Sequence, residues 1–536
     1  MIPRSRRPLL VATMLAVSLG CVSEKAPDVE PTTVSAYLGS ASPRSLSMIA
    51  KTDRGSEIFA VQLTDSLVQY DPQMRLVPRL AERWELSADR RGLVFHLRPG
   101  VRWHDGRPVT ADDVVFSART AREPGAENRS YGPALEAVRE VRALDPRTVL
   151  VTYDEAQPSA LAAWRLPIVP AHLAPDGIES LLGPFAEAPV GCGPFRFVSH
   201  TREQEIALEA NDDYWDGRPA IDRLVLRIYS DQRTAVQALL DGELQLATVT
   251  PEWYERVVDG PEAGRFAAFV YFSMATRYIA WNQSLRSGLF DDARVRRALV
   301  MALDRRGFNE RLVQGIAREG VGVFHPASAW TDPEIKPWPY DPDEARRLLG
   351  EAGWIDSDGD GVRERNGTAL RFSLIYPRSS QALADQLAAW QQQSWREVGA
   401  EVEVERLEWN AFLDRRASGA FGVATASLSF TPDPDDVYAL LHSSARKSGM
   451  NFFGFVDAEV DRLLDAARRT FDEDERLRLY HALQRRLHEL EPLTIPFYFP
   501  SPVVHDRRLT GVTPTPLDFW RTTAGPRLWR WNADGS

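Results

Sequence analysis

Cysteine is nearly missing from this sequence: two residues in 536, Cys21 and Cys192, far apart in the chain. A disulfide framework is therefore not what holds the body together. Familiar catalytic signatures are missing too, with no H-E-x-x-H, no G-x-S-x-G, no P-loop and no paired C-x-x-C. The nine histidines are dispersed, and His481 and His488, seven apart on an expected helix, suit a polar helix surface better than a metal centre. Beyond residue 20 no apolar run is long enough to cross a bilayer as a helix, and no internal repeat is visible. Excess positive charge is absent as well. The net charge is -11, which becomes -14 without residues 1–20, a segment carrying three arginines and no acid. That balance argues against nucleic acid as a partner.

What is present is a chain 44% hydrophobic and 26% charged, enough to bury the cores of two to four domains. At the start, Arg4, Arg6 and Arg7 precede the apolar run PLLVATMLAVSLG, which ends at Cys21. Positive residues followed by a short apolar stretch have the form of a secretory signal. VSLGC is similar to a relaxed bacterial lipobox, which implies that residues 1–20 are removed and Cys21 carries lipid. The other reading is an ordinary signal peptide, with Cys21 incidental. Residues 22–33, polar and proline-bearing, complete a tether over 21–33.

Helix boundaries are legible from capping residues. In YDPDEARRLLGEAGW, Asp341 is the expected N-cap, Pro342 the first helical residue, Glu344 the closing acid and Gly353 the stop. VTADDVVFSAR repeats the device with Thr110 and Asp113. From ALRFSLIY to FGVATASL, strand and helix patterns alternate, as in a parallel sheet flanked by helices. The region 276–500 is read as one α/β unit, and 63–185, with proline-broken strands, as a separate mixed unit.

The stretch PRLAERWELSADRRGLVFHLRPGVRWHDGRPVTADDVVFS, with PVGCGPFRF, NDDYWDGRPAIDRL and WNQSLRSGLFDDARVRRALVMALDRR after it, resembles the family 5 extracytoplasmic solute-binding proteins of ABC transporters. The resemblance runs over about residues 34 to 510. It implies an α/β, two-lobed periplasmic-binding-protein-like (type II) fold with an additional smaller domain on the first lobe. Lobe I would comprise 34–62, 186–275 and 501–536, the additional domain 63–185, and lobe II 276–500. It further implies a monomer outside the cytoplasm that is not an enzyme, captures a peptide or peptide-like solute between its lobes and serves ABC permease subunits. Oligosaccharide or metal-chelate receptors are the alternatives within the family, and a secreted carboxylate-based hydrolase is the alternative outside it.

Peptide binders of this family carry a motif resembling W-x-x-D-Y-x-D-P, whose first Asp pairs with the ligand's ammonium. Aligning it on Asp433 and Pro434 in SLSFTPDPDDVYALLHS puts Phe430 at that Asp, and Leu428 or a neighbour at the Trp. Another register would give Asp433 or Asp435 the role. Trp281 and Asn282, preceded by Arg277 and Tyr278, are further ligand candidates, although an aromatic there also suits a hinge or core, and Phe452 and Phe453 could line the pocket but suit core better. GWIDSDGDGVRERNGTAL opens like a calcium loop with Asp356, Asp358, Asp360 and Gly361, and Glu364 could assist. Its twelfth position is Gly367 instead of a bidentate Glu, so no cofactor is expected and calcium would bind at best weakly.

Overall fold

The computed structural model describes residues 32–49, 53–126, 135–378, 382–446 and 450–532. Three sheets organise it. The first has seven strands in the order 266–272, 500–506, 246–248, 33–39, 223–228, 205–210 and 195–201. Its centre is made by Thr33–Gly39, which runs parallel to Arg223–Ile228, with Ala36 opposite Leu226. On the latter strand Leu224 and Leu226 are buried while Arg223 is exposed. The second sheet, in the order 81–86, 92–97, 148–153 and 138–145, is wholly antiparallel. It shares one apolar cluster with the first sheet, containing Val34, Phe59, Phe95, Trp103 and Trp164. The two therefore pack as a unit.

The third sheet, in lobe II, has the order 401–407, 371–377, 423–429, 275–281 and 493–494. Arg371–Pro377 is parallel to both its neighbours, as the alternating pattern implies. Ala275–Trp281 departs from that expectation and runs antiparallel to Val423–Ser429. It is the strand by which the chain arrives from the first sheet, so its direction is set by that crossing and not by a helical crossover. Alternation along it feeds two cores: Ile279 and Trp281 enter one cluster with Phe290, Trp354 and Trp395, and Tyr278 and Ala280 enter another with Phe412, Phe453 and Tyr480. The chain passes between the lobes through residues 273–274 and 495–499, and there the Thr276 hydroxyl donates to the Phe497 carbonyl at 3.0 Å.

The N-cap expectations hold, although Glu344 does not close a box on Asp341: its carboxylate accepts from Arg347 at 2.6 Å, and the Asp341 amide donates to the Met301 carbonyl at 2.9 Å. Asp341 accepts from the Glu344 amide at 2.9 Å and opens the helix Pro342–Glu351, while Asp113 accepts from the Thr110 amide at 2.8 Å at the head of Ala111–Thr120. In the VGCGPF turn, a Cβ on Gly191 would lie 1.7 Å from the Leu63 carbonyl oxygen and one on Gly193 2.6 Å from its carbon, so only glycine permits this approach. Cys192 between them is buried beside the Thr64 hydroxyl at 3.5 Å, and burial pushes its thiol up to about 12. It is chemically quiet. Cys21 lies outside the described residues.

Candidate ligand-binding site

Ligands of open α/β sheets gather beyond the carboxyl ends of the strands. In lobe II that edge is continued by the loop after Val423–Ser429, where the backbone amide of Phe430 donates to the Met274 carbonyl at 3.2 Å, next to the crossing. The Phe430 ring is half-buried and packs on the cluster that holds Tyr278 and Phe453. Arg277 stands opposite Ser427 at the same edge, half-buried, and burial lowers its pKa from the ordinary value.

The acids that follow Phe430 are all engaged within lobe II. Asp433 is paired with Arg476 at 3.3 Å and accepts from the Asp435 amide at 2.9 Å. Burial pushes its carboxyl above the ordinary value, and Arg476 opposes that only in part. Asp435 meets Arg468 through a guanidinium fork, with contacts of 3.0 and 2.9 Å to one oxygen. Asp436 accepts the Thr431 amide at 2.5 Å, and burial raises it to about 6. Two of these carboxylates are neutralised by arginines and the third serves the backbone of its own loop.

Asp436, Arg468 and Arg476 were not among the residues singled out from sequence. The arginines lie 33 and 43 residues beyond the acids they meet, a separation no local pattern reveals.

Other candidates are placed differently. Trp281 is fully buried, donates to the Thr494 hydroxyl at 3.1 Å and packs against Phe290 and Trp395, each at 5.5 Å. Asn282 is equally buried and donates to the carbonyls of Gly419 and Phe421 at 3.0 and 2.7 Å. Both expectations of ligand contact are thereby corrected: one side chain fills the core, and the other fixes a neighbouring loop. Tyr278 is buried too, its ring 6.0 Å from that of Phe452, and burial pushes its hydroxyl up to about 12. His481 and His488 do not converge: the first contacts the Ala329 carbonyl at 3.1 Å, and the second stacks on Trp338 at 4.5 Å.

A two-lobed body with an additional four-stranded sheet is the arrangement that the sequence resemblance implies. The family profile described as bacterial extracellular solute-binding proteins, family 5, middle region, matches residues 75–450. The chain belongs to this family. Among its relatives are the oligopeptide-binding protein AppA of Bacillus subtilis, 28% identical over 473 residues (85% of this chain and 84% of that one), and protein XP55 of Streptomyces lividans, 30% identical over 438 residues (81% and 77%). The structure of B. subtilis AppA in complex with a nonapeptide matches with a TM-score of 0.76 at 25% identity, covering 94% of this chain and all of that one. That of NikA from Brucella suis in complex with Fe(III)-EDTA matches in fold, with a TM-score of 0.80 at 22% identity and coverage of 92% and 99%. The family is one of solute-binding proteins.

The acidic turn gathers the carboxylates of Asp356, Asp358, Asp360 and Glu364 within 4.8 Å of one another. Each already accepts from its own loop: Asp356 from Gly359 and Gly361, Asp358 from Asp360, Asp360 from Val362, and Glu364 from Ser357. Asn366 and Gly367 hold φ of 52° and 76° and turn the ribbon between Glu364–Arg365 and Thr368–Ala369. Gly367 thus serves a hairpin, and the closing carboxylate of a calcium loop is missing.

Proposed function

We propose that this protein is a lipid-anchored extracytoplasmic receptor that captures a peptide-like solute between its lobes, without requiring a free ammonium, and delivers it to an ABC importer. The reading rests on the loop at residues 430–436. In the register aligned on Asp433 and Pro434, Phe430 stands where the ammonium-pairing acid is expected, and Asp433, Asp435 and Asp436 are already committed to Arg476, Arg468 and the Thr431 amide. An enclosed ammonium would meet an aromatic face in place of a free carboxylate, which favours a blocked or modified peptide. The peptide class is supported by the relative called oligopeptide-binding protein and by the structure holding a nonapeptide. A metal-chelate receptor is the second reading, favoured by the fold match to a protein holding Fe(III)-EDTA.

Native mass spectrometry of protein purified from its own cells identifies the solute. Its affinity is then compared between free-amine and acetylated forms, in the unmutated protein and in Phe430→Asp. The acetylated form is expected to bind at least as tightly to the unmutated protein, and Phe430→Asp is expected to shift preference toward the free amine. A strong preference of the unmutated protein for the free amine would return Asp433 or Asp435 to the anchoring role. For the lipid anchor, Cys21→Ala is expected to move the protein from the membrane pellet to the soluble fraction; retention in the pellet would refute it.

A further inference from the structure

The four-stranded domain touches lobe II directly. Its turn between Ala81–Leu86 and Gly92–Leu97 carries Arg90 in the left-handed region, at φ 59°. The Arg90 guanidinium lies 4.5 Å from the centre of the Phe471 ring, in the connection between lobe II helices Ala458–Arg469 and Glu473–Leu490. A second contact lies at the turn Pro158–Arg165, which packs against the helix Ala458–Arg469. There Arg165 covers the buried Tyr70 ring at 4.7 Å. The charge of Arg165 reaches Asp436, and the Tyr70 hydroxyl stands in the field of Asp433, Asp436 and Arg476.

The domain cannot follow lobe II when the lobes part. Arg79 binds Asp65 at 3.1 Å within the domain's own segment and Asp216 of lobe I at 2.8 Å, and Arg527 of lobe I also holds Asp216 at 2.7 Å. Trp215 of lobe I donates to Asp65 at 2.8 Å. Tied in this way to lobe I, the domain makes its contacts with Phe471 and the helix Ala458–Arg469 only when the lobes are together. Such contacts contribute differential free energy to the closed state.

We infer that the four-stranded domain is a latch: Arg90 on Phe471, and the turn Pro158–Arg165 on the helix Ala458–Arg469, hold lobe II closed independently of the solute's own contacts. Spin labels at the exposed positions Glu140→Cys and Arg396→Cys report the separation of the domain from lobe II. They are introduced with Cys21→Ser, and the buried Cys192 is left in place. Ligand-free protein is compared with Arg90→Ala, Phe471→Ala, the Arg90→Ala/Phe471→Ala double variant and Arg165→Ala by pulsed dipolar spectroscopy. Losing the exposed cation–π contact is expected to lower the closed-to-open ratio by about two- to fivefold. The double variant should shift no further than either single one, because both remove the same contact. Arg165→Ala should shift the ratio in the same direction. Distance distributions that are unchanged by all the variants would overturn the latch, as would single effects that simply add.

Discussion

Replacing Arg79 by leucine is expected to destabilise the protein by roughly 3–5 kcal/mol, the cost typical of removing one partner from a buried ion pair. Arg79 is 6% exposed and donates to Asp65, Asp216 and the Tyr214 hydroxyl. Burial opposes its charge, but Asp65 and the other acceptors more than restore it, so its pKa ends above the ordinary value. Without the guanidinium, Asp65 keeps only its hydrogen bonds from Tyr214 and Trp215, both 2.8 Å, and its charge stays largely enclosed. Because the network joins the four-stranded domain to lobe I, urea unfolding of Arg79→Leu should show an earlier midpoint and a separate early phase for that domain. The double variant Arg79→Leu/Asp65→Asn should recover part of the loss, since it removes the stranded charge as well. A midpoint unchanged in Arg79→Leu would mean that the network carries no net stability.

The second large effect concerns pH. Glu491 is buried at the end of the helix Glu473–Leu490 and accepts from the Trp338 indole at 3.0 Å and the Thr494 hydroxyl at 2.8 Å. Burial raises its pKa from 4.5 to about 7, against those hydrogen bonds and the charges of Arg305 and Arg296. The folded protein therefore keeps this proton to a higher pH than the unfolded chain. Its stabilising share is complete below about pH 4.5, falls as pH rises to about 7 and is gone above. At about 1.4 kcal/mol per unit the full loss is roughly 3 to 4 kcal/mol. Glu491→Gln keeps an amide of the same shape and removes the titration. Relative to the unmutated protein, it is expected to gain stability between pH 5 and pH 8 by most of that amount, read as the difference in urea midpoints. Parallel pH profiles of variant and parent would show that Glu491 does not titrate in this window.

The sequence is most legible where the physics is local. Asp341 and Thr110 with Asp113 announced their helices because a cap is satisfied within a few residues, and the strand–helix alternation from 371 to 429 is a period any reader can follow. Trp281 and Asn282 are ambiguous in the sequence because an aromatic or an amide at a strand end has the same appearance whether it meets a ligand, Trp395 or the Phe421 carbonyl. The direction of Ala275–Trp281 is hidden because it is set by where the chain crosses from the first sheet, and its antiparallel partner lies nearly 150 residues later. The acids of the 430–436 loop were visible as letters, but their neutralisation depends on arginines of later helices.

The two crossings between the lobes also set an order of events during folding. All five strands of the lobe II sheet come from one uninterrupted stretch, residues 275–494, so that sheet can close while later residues are still missing. The seven-stranded sheet cannot. Its first strand begins at Thr33, and the strand Pro500–Asp506 lies between two others, so one seam stays open until the end of the polypeptide arrives. An incomplete chain therefore carries one finished half and one half with unpaired strand edges, the part most exposed to misassembly and most in need of a partner to shield it.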